Sequence, residues 1–539
     1  MWGLRDIVFV GVVGGGVLAL ASHLWPPPPT RPATTYDARA YADPDLVAAV
    51  WRVDMAFEQQ WQSAQVKPTT PADDLIIARR LALGLMGTVP SLEEIRQLEA
   101  LPRDERLPWW IDHILRDPRF ASYFAERLAR AFVGTEEGPF VFFRRRRFVT
   151  WLEEQIAQDR PYDQLVQELI AGKGLWTDQP ATNFISVTAQ PDKKNEPNPI
   201  RLAGRVTRAF LGLRLDCAEC HNHPFAEWKQ ADFQGFAAFF GQTHIGFKGV
   251  YDGPGTFEVE DKKTGGKKVV DPAVPFAKEL LPLHGTRRQQ LAAWVTHPRN
   301  PYFAKAICNR VWAIMTGRPL VEPVDNLESQ GGDVHPALHV LADDFVAHGY
   351  DLRRLIRVIA GSRVFRLDSA SEPEPGEAED LHWAVFPITR LRPEQVAGSI
   401  LQAASVATLD AESHILLRLA RFGQINEFVT RYGDTGEDEF DGRGGTIPQR
   451  LLMMNGKMVR ERVAANWLNS IGRVARMAPS HEKAVETAYL AVLSRRPTPE
   501  EAAHFEQSLR GAPSPSHRQQ MLEDLFWALV NSAEFSWNH

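Results

Sequence analysis

Apolar residues recur at intervals of three and four along most of this chain, the repeat that gives a helix one buried face. The pattern predicts a helix over residues 43–66, with Val47, Val50, Trp51, Met55 and Phe57 as apolar positions, and a second helical block from Ala72. Ser91-Leu-Glu-Glu94 reads as a capping box opening a helix that carries Ile95 and Leu98. The spacing continues through Leu107–Leu115, Phe120–Phe132, Phe148–Ala157, Tyr162–Ile170 and about Pro199–Leu213. It resumes in Arg287–Val295, Tyr302–Thr316, His335–His348 and Leu352–Ser362. A late helix, Pro499–Leu509, starts from Thr498 with Glu501 three residues on. Only Phe257-Glu-Val-Glu260 and Lys267-Lys-Val-Val270, around Thr264-Gly265-Gly266, alternate as a β-hairpin does. The expected fold is mainly α: a multi-helical two-domain protein with one small β-hairpin insertion and an N-terminal membrane helix.

That membrane helix is read from Ile7 to Leu24, 18 uncharged and mostly apolar residues after Arg5. As a helix they span about 27 Å, close to the hydrocarbon thickness of a bilayer. Trp2 and Trp25 flank the stretch as interfacial residues do, which favours an uncleaved anchor. Ala19-Leu20-Ala21 also has the small-residue form of a signal-peptidase site. Either way the body is expected outside the cytoplasm, periplasmic or otherwise extracytoplasmic, held at the inner membrane. Pro26–Pro29 begin a stiff tether. The expected segments are an anchor or signal peptide at 1–25, the tether at 26–42, a helical unit at 43–245, a hairpin connector at 246–284 and a second helical unit at 285–539.

A length of 539 residues, 44% hydrophobic, suits two or three packed domains, and a net charge of −6 gives no support to nucleic-acid binding. Three cysteines in so long a chain are no disulfide framework. Cys308 falls in an apolar helical pattern and reads as a buried small hydrophobe.

The other two cysteines carry the chemistry. Cys217-Ala-Glu-Cys220-His221 is the spacing by which c-type haem is attached, both thiols bonding the porphyrin and the histidine ligating iron. The site expected is haem c held by Cys217 and Cys220, with His221 as proximal metal ligand. No methionine occurs between Met86 and Met315, so His244 and His284 are the candidate distal ligands. In the helix before the motif, Leu202, Val206, Ala209, Phe210 and Leu213 share a face that would suit the edge of a haem, while Arg201, Arg205 and Arg208 line another that would suit its propionates. Two rival readings stay open. Cys217, Cys220, His221 and His223 have the donor types of a zinc or iron site, and Cys217–Cys220 has the spacing of a plain disulfide.

Thr207–Phe225, followed by Trp228 and Asp232–Phe240, closely resembles a bacterial family of unknown function named as a planctomycetal cytochrome-c-type domain. Arg79–Pro90, Asp117–Phe120 and Arg160–Asp163 fit its earlier part. Asn300–Ala304, Asn309–Trp312, Gly317–Asp325, His348–Leu352, Met454–Gly456 and Trp527–Phe535 resemble the companion domain that usually follows it. The family's name implies haem, through the same C-x-x-C-H, and the resemblance brings no catalytic residues with it.

The function expected is therefore electron transfer or redox coupling in the cell envelope, with an unidentified redox or envelope protein as partner and the membrane reached through the N-terminal helix. The alternatives are a metal-dependent hydrolase using the Cys/His cluster and a non-catalytic envelope scaffold with a structural CxxC. Asp434, Glu437, Asp438, Glu439 and Asp441 lack the spacing of a calcium loop and read as a solvated acidic segment. Asn309, Arg310, Trp312 and Asp325 read as a buried hydrogen-bond network. No nucleophile elbow, P-loop or H-E-x-x-H is present, so whether the chain is an enzyme stays open.

Overall fold

Helix ends form where side chains can take up the orphan backbone groups. In the computed structural model, which describes residues 38–539 except 136–142, 223–226, 261–264, 330–333, 410–414, 434–439, 441–444 and 468, the helix Pro44–Ala64 starts from Asp43, whose carboxylate accepts from the Asp45 amide. Both expected capping boxes are present: Ser91 with Glu94, and Thr498 with Glu501 behind Pro499. The protein is mainly helical. The expected anchor, Ile7–Leu24, lies outside the described residues, and among those described no helix is long and apolar enough to cross a membrane.

Two elements depart from the sequence reading. The helix expected over 199–213 is α-helical only from Pro199 to Val206, then widens into a π-turn, Thr207–Leu211. The Thr207 hydroxyl bonds back to the Ala203 and Gly204 carbonyls, both at 3.1 Å, and Gly212 stops the turn in the left-handed region at φ 59°. The expected hairpin, Phe257–Glu260 with Lys267–Val270, is there. A second one precedes it, Thr243–Gly246 with Gly249–Asp252, and Thr389–Arg390 pairs with Trp537–Asn538. The four-residue strands of the missed hairpin are too short for alternation to show. Contact with a distant loop fixes them instead: Gly174 and Val250 exchange N–H···O bonds of 2.9 Å. Gly249, at φ 92°, comes so close that a Cβ there would lie 2.0 Å from the Gly174 carbonyl oxygen.

One apolar core runs from Leu46 to Phe386, and a second gathers Leu391 to Phe535 with Leu83 and Val89. The helices on both sides of the connector expected at 246–284 thus share a core, and the division between cores falls between Phe386 and Leu391. At the centre of the first lies the helix Phe303–Thr316, buried along its length except at Lys305. It packs on the helices Asp74–Met86 and Pro336–Ala347 and on the π-turn. Cys308 sits in it, 0% exposed, as a buried apolar residue.

Arg79 and Arg80, both 0% exposed, tie the two cores together. Arg79 donates to the Val492 and Phe535 carbonyls (3.1 and 3.2 Å). Arg80 donates to those of His539 (2.7 Å), Phe365 (3.2 Å) and Leu367 (2.7 Å). Burial lowers Arg79 to about 10 and Arg80 to about 9, still well above neutral pH, so both remain cations held by carbonyl oxygens.

Candidate functional site

The approach to Cys217 is built from a helix that spends its apolar face on the core. Asn198 caps Pro199–Val206, its side-chain oxygen accepting from the Ile200 and Arg201 amides. Leu202, Val206 and Phe210 are buried, with Phe210 packed on Phe132 and Phe184 at ring-centroid distances of 5.1 and 5.4 Å. The face expected to cover a haem edge is therefore turned inward. After Gly212 a 3₁₀ turn, Leu215–Ala218, buries Leu215 and Ala218 and sends Cys217 outward. Cys220 and His221 follow it, also exposed.

The arginine stripe divides by role. Arg205 donates to the Phe132 carbonyl at 3.1 Å. Arg208 binds both oxygens of Asp216 (3.1 and 2.9 Å) and reaches Asp325 at 3.0 Å, where Arg214 also arrives at 2.8 Å. Burial opposes the charge on Arg208, but Asp216 and Asp325, with a smaller effect from Cys217, hold it above the ordinary arginine range. Asp325 belongs to the segment that starts at Gly317, and Asn309 on the buried helix fixes that segment. Its amide donates to the Val321 carbonyl (2.8 Å) and accepts from the Val321 amide (3.1 Å). The hydrogen-bonded role expected for Asn309 is found, whereas Asp325 serves as an ion-pair hub for the turn before the cysteines.

Two more links close the loop. The Leu327 amide donates to the Gly212 carbonyl at 2.8 Å. Glu328 accepts from the Trp228 indole (2.8 Å) and the Tyr302 hydroxyl (2.6 Å). On the downstream side Gln230 binds the Glu219 carbonyl (2.9 Å) and, through its amide, the Asn222 side chain (3.0 Å). Residues 317–328 therefore hold Gly212 and Arg214 before the cysteines and Trp228 after them.

Between those fixed points, His221 Nδ1 lies 2.6 Å from the Asn222 carbonyl oxygen. A carbonyl only accepts, so Nδ1 carries the proton and Nε2 is left as the ligating atom. His244 is placed differently, in the second hairpin, with Nδ1 3.2 Å from Glu196 and Nε2 3.1 Å from the Pro254 carbonyl. Both of its nitrogens are engaged. His284 lies exposed before Gly285, and His223 and the acidic residues 434, 437–439 and 441 lie outside the described residues. Cys217, Cys220 and His221 do not bring their donor atoms within 4.8 Å of one another. Among the described residues only Glu94, His113 and Asp117 do so.

That cluster was not legible as a site in the sequence, although Ser91-x-x-Glu94 and Asp117-Pro-Arg119 are its parts. Its cation is Arg119, which pairs with buried Glu94 and with Asp117 (2.7 Å), while His113 stacks on Trp109 and Trp110. Burial opposes ionisation of Glu94, but Arg119, His113 and the Ser91 amide pull it down to about 2. A metal there would have to displace a guanidinium, so the cluster is an ion-pair knot.

Two family models match the chain. Residues 52–245 match PSCyt2, described as a protein of unknown function (DUF1549), and residues 287–414 match PSD1, described as a protein of unknown function (DUF1553). They occur in the order expected from the motifs, and neither description names a function. No curated protein and no solved structure matches the chain.

For covalent haem, the donor set fits at the surface: two outward thiols and an imidazole whose tautomer leaves Nε2 as ligand. The buried helix face next to them would not line it.

Proposed function

We propose that this chain is an exported, membrane-anchored c-type haem protein that transfers single electrons, or couples redox steps, in the cell envelope. One observation carries the reading. The turn that buries Leu215 and Ala218 presents Cys217 outward, with Cys220 and His221 exposed just beyond it and Asn222 setting the His221 tautomer. In this reading Cys217 and Cys220 hold the porphyrin by thioethers and His221 ligates the iron. Haem c bound there supplies a one-electron iron couple. The chain's own part is to hold that turn still: Arg208 and Arg214 fasten it through Asp216 and Asp325, and Glu328 fastens its exit through Trp228. His284 or His244 would be the candidates for a second iron ligand. His284 is the readier, since His244 would first have to give up Glu196 or Pro254.

The hydrolase alternative draws its zinc or iron donors from Cys217, Cys220, His221 and His223; the first three do not converge by themselves, and His223 lies outside the described residues.

Pyridine haemochrome spectra and haem staining of a denaturing gel, after expression with a c-type maturation system, test the proposal. The expected result is a covalent α-band that survives denaturation and is lost in Cys217→Ser/Cys220→Ser. Exported protein with stoichiometric zinc and no haem would assign the site to the hydrolase alternative. Exported protein with neither would leave the scaffold reading, in which His221→Ala preserves stability and partner binding.

A further inference from the structure

Arginines buried in this protein are held by acceptors. Arg79 and Arg80 donate to carbonyls, Arg127 pairs with Glu394, Arg130 with Glu126 (3.2 Å), and Arg288 with Asp252 and the Gly172 carbonyl (both 2.7 Å). Arg392 donates to the Tyr123 hydroxyl at 3.0 Å. Arg310, 6% exposed in the Phe303–Thr316 helix, is the exception. Its sequence setting placed it in a hydrogen-bond network with Asn309. Among the described residues it makes neither a hydrogen bond nor an ion pair. A cation so enclosed is costly unless something accepts from it.

A second donor without an acceptor lies on the same side of the helix. Phe303 precedes Arg310 by seven residues, two turns back on one face. Tyr162 stacks on Phe303 with ring centroids 5.4 Å apart and also packs on Phe345. It is 0% exposed, and its hydroxyl has no hydrogen-bond partner. Long side chains on a helix lean toward its N-terminus, which carries the Arg310 guanidinium back toward Phe303. The phenol registers that charge: burial raises Tyr162, and Arg310 pulls it back. The carboxylates of neighbouring elements are engaged elsewhere. Asp74 pairs with Arg106 (3.1 Å) and Asp344 with Arg354 (2.9 Å), while Asp343 acts on Lys305, on another face of the helix. Asp163, next to Tyr162, feels the charge of Arg160.

We propose that Arg310 and Tyr162 hold a small inorganic monoanion, of the chloride class, inside the first core. Both groups donate, so an anion satisfies them together. One negative charge balances the single guanidinium, whereas a dianion such as phosphate would leave net charge among Phe303, Phe345 and Tyr162. An organic carboxylate would also need room for its tail beside a side chain that is 6% exposed. The site lies on the helix against which Pro336–Ala347 and the π-turn pack, so filling it stabilises the first core. Neither haem nor the anchor is involved.

Two measurements on the full chain in detergent test this. Thermal unfolding is followed while sodium chloride replaces sodium gluconate at constant ionic strength, which separates binding from screening. The midpoint should rise with the logarithm of chloride in the native protein. That rise should shrink in Tyr162→Phe and vanish in Arg310→Gln. Crystals of the native protein grown in sodium bromide supply the second readout, which does not depend on the variants folding. An anomalous bromine peak is expected between the Arg310 guanidinium and the Tyr162 hydroxyl. A water there instead, or bromine at surface arginines alone, overturns the site. So does a chloride dependence that is equal in the native protein and both variants.

Discussion

His335 is a partly buried imidazole with both nitrogens in use: Nδ1 accepts from the Ala337 amide at 3.1 Å, and Nε2 donates to the Gln60 side chain at 2.8 Å. Burial first, then the neighbouring His382, lowers it to about 4. The folded protein therefore resists a proton that the unfolded chain binds near pH 6.5. The stability that follows is fully present above that value and is lost as pH falls toward 4, amounting to about 2 kcal/mol by pH 5. Urea unfolding at pH 7.5 and pH 5 should show that loss, and His335→Asn, which keeps an acceptor for the cap, should show a flatter dependence. Equal slopes in the two proteins would rule out His335 as the source. Cys308 and Asn309 were readable from residue type and helical setting, one as an apolar filler and the other as a hydrogen-bonding residue. Arg208 was not. Sequence placed it on a stripe that would suit haem propionates, and only the arrival of Asp325, 117 residues away, makes it the fastener of the cysteine turn.

At the scale of elements, local rules served wherever the controlling contacts are local. Both capping boxes and the hairpin Phe257–Val270 involve residues close in sequence, so their types and spacing suffice. The hairpin Thr243–Asp252 failed that test because a backbone from elsewhere defines it. Gly249 accepts its left-handed φ and lies against Gly174. Gly249→Ala should cost about 3 kcal/mol through strain and lost pairing. Amide exchange should then speed up at Gly174 and Val250 while helices of the second core stay protected. Unchanged exchange at those two amides would mean that the close approach is not required. The π-turn is a similar case, since its widening and its stop at Gly212 make room for the Leu327 contact.

In the whole molecule, the two segments matched by separate families do not form separate cores. Phe210 and Trp294 lie on opposite sides of the expected connector and belong to one apolar cluster, and the Phe303–Thr316 helix packs on the π-turn that precedes the cysteines. A chain cut after residue 284 should therefore lose specific packing, with near-UV circular dichroism collapsed and a hydrophobic dye bound. Adding residues 285–539 in trans should restore both signals in part. A cut chain that unfolds cooperatively with native-like near-UV signal would show that the first segment needs no partner.

The amino-acid sequence by itself determined most of the helices, two of their caps and one hairpin, and it supplied the C-x-x-C-H spacing of Cys217, Cys220 and His221 on which the haem proposal rests. Each of these depends on residues within a few turns of one another, where period and residue type carry the energetics. The tertiary structure alone decided which helix faces share a core, that Arg79 and Arg80 join the two cores, and that Asp325 and Glu328 grip the cysteine segment. Those pairings join residues a hundred or more apart, where charge and shape must match across the fold and no local pattern records the match.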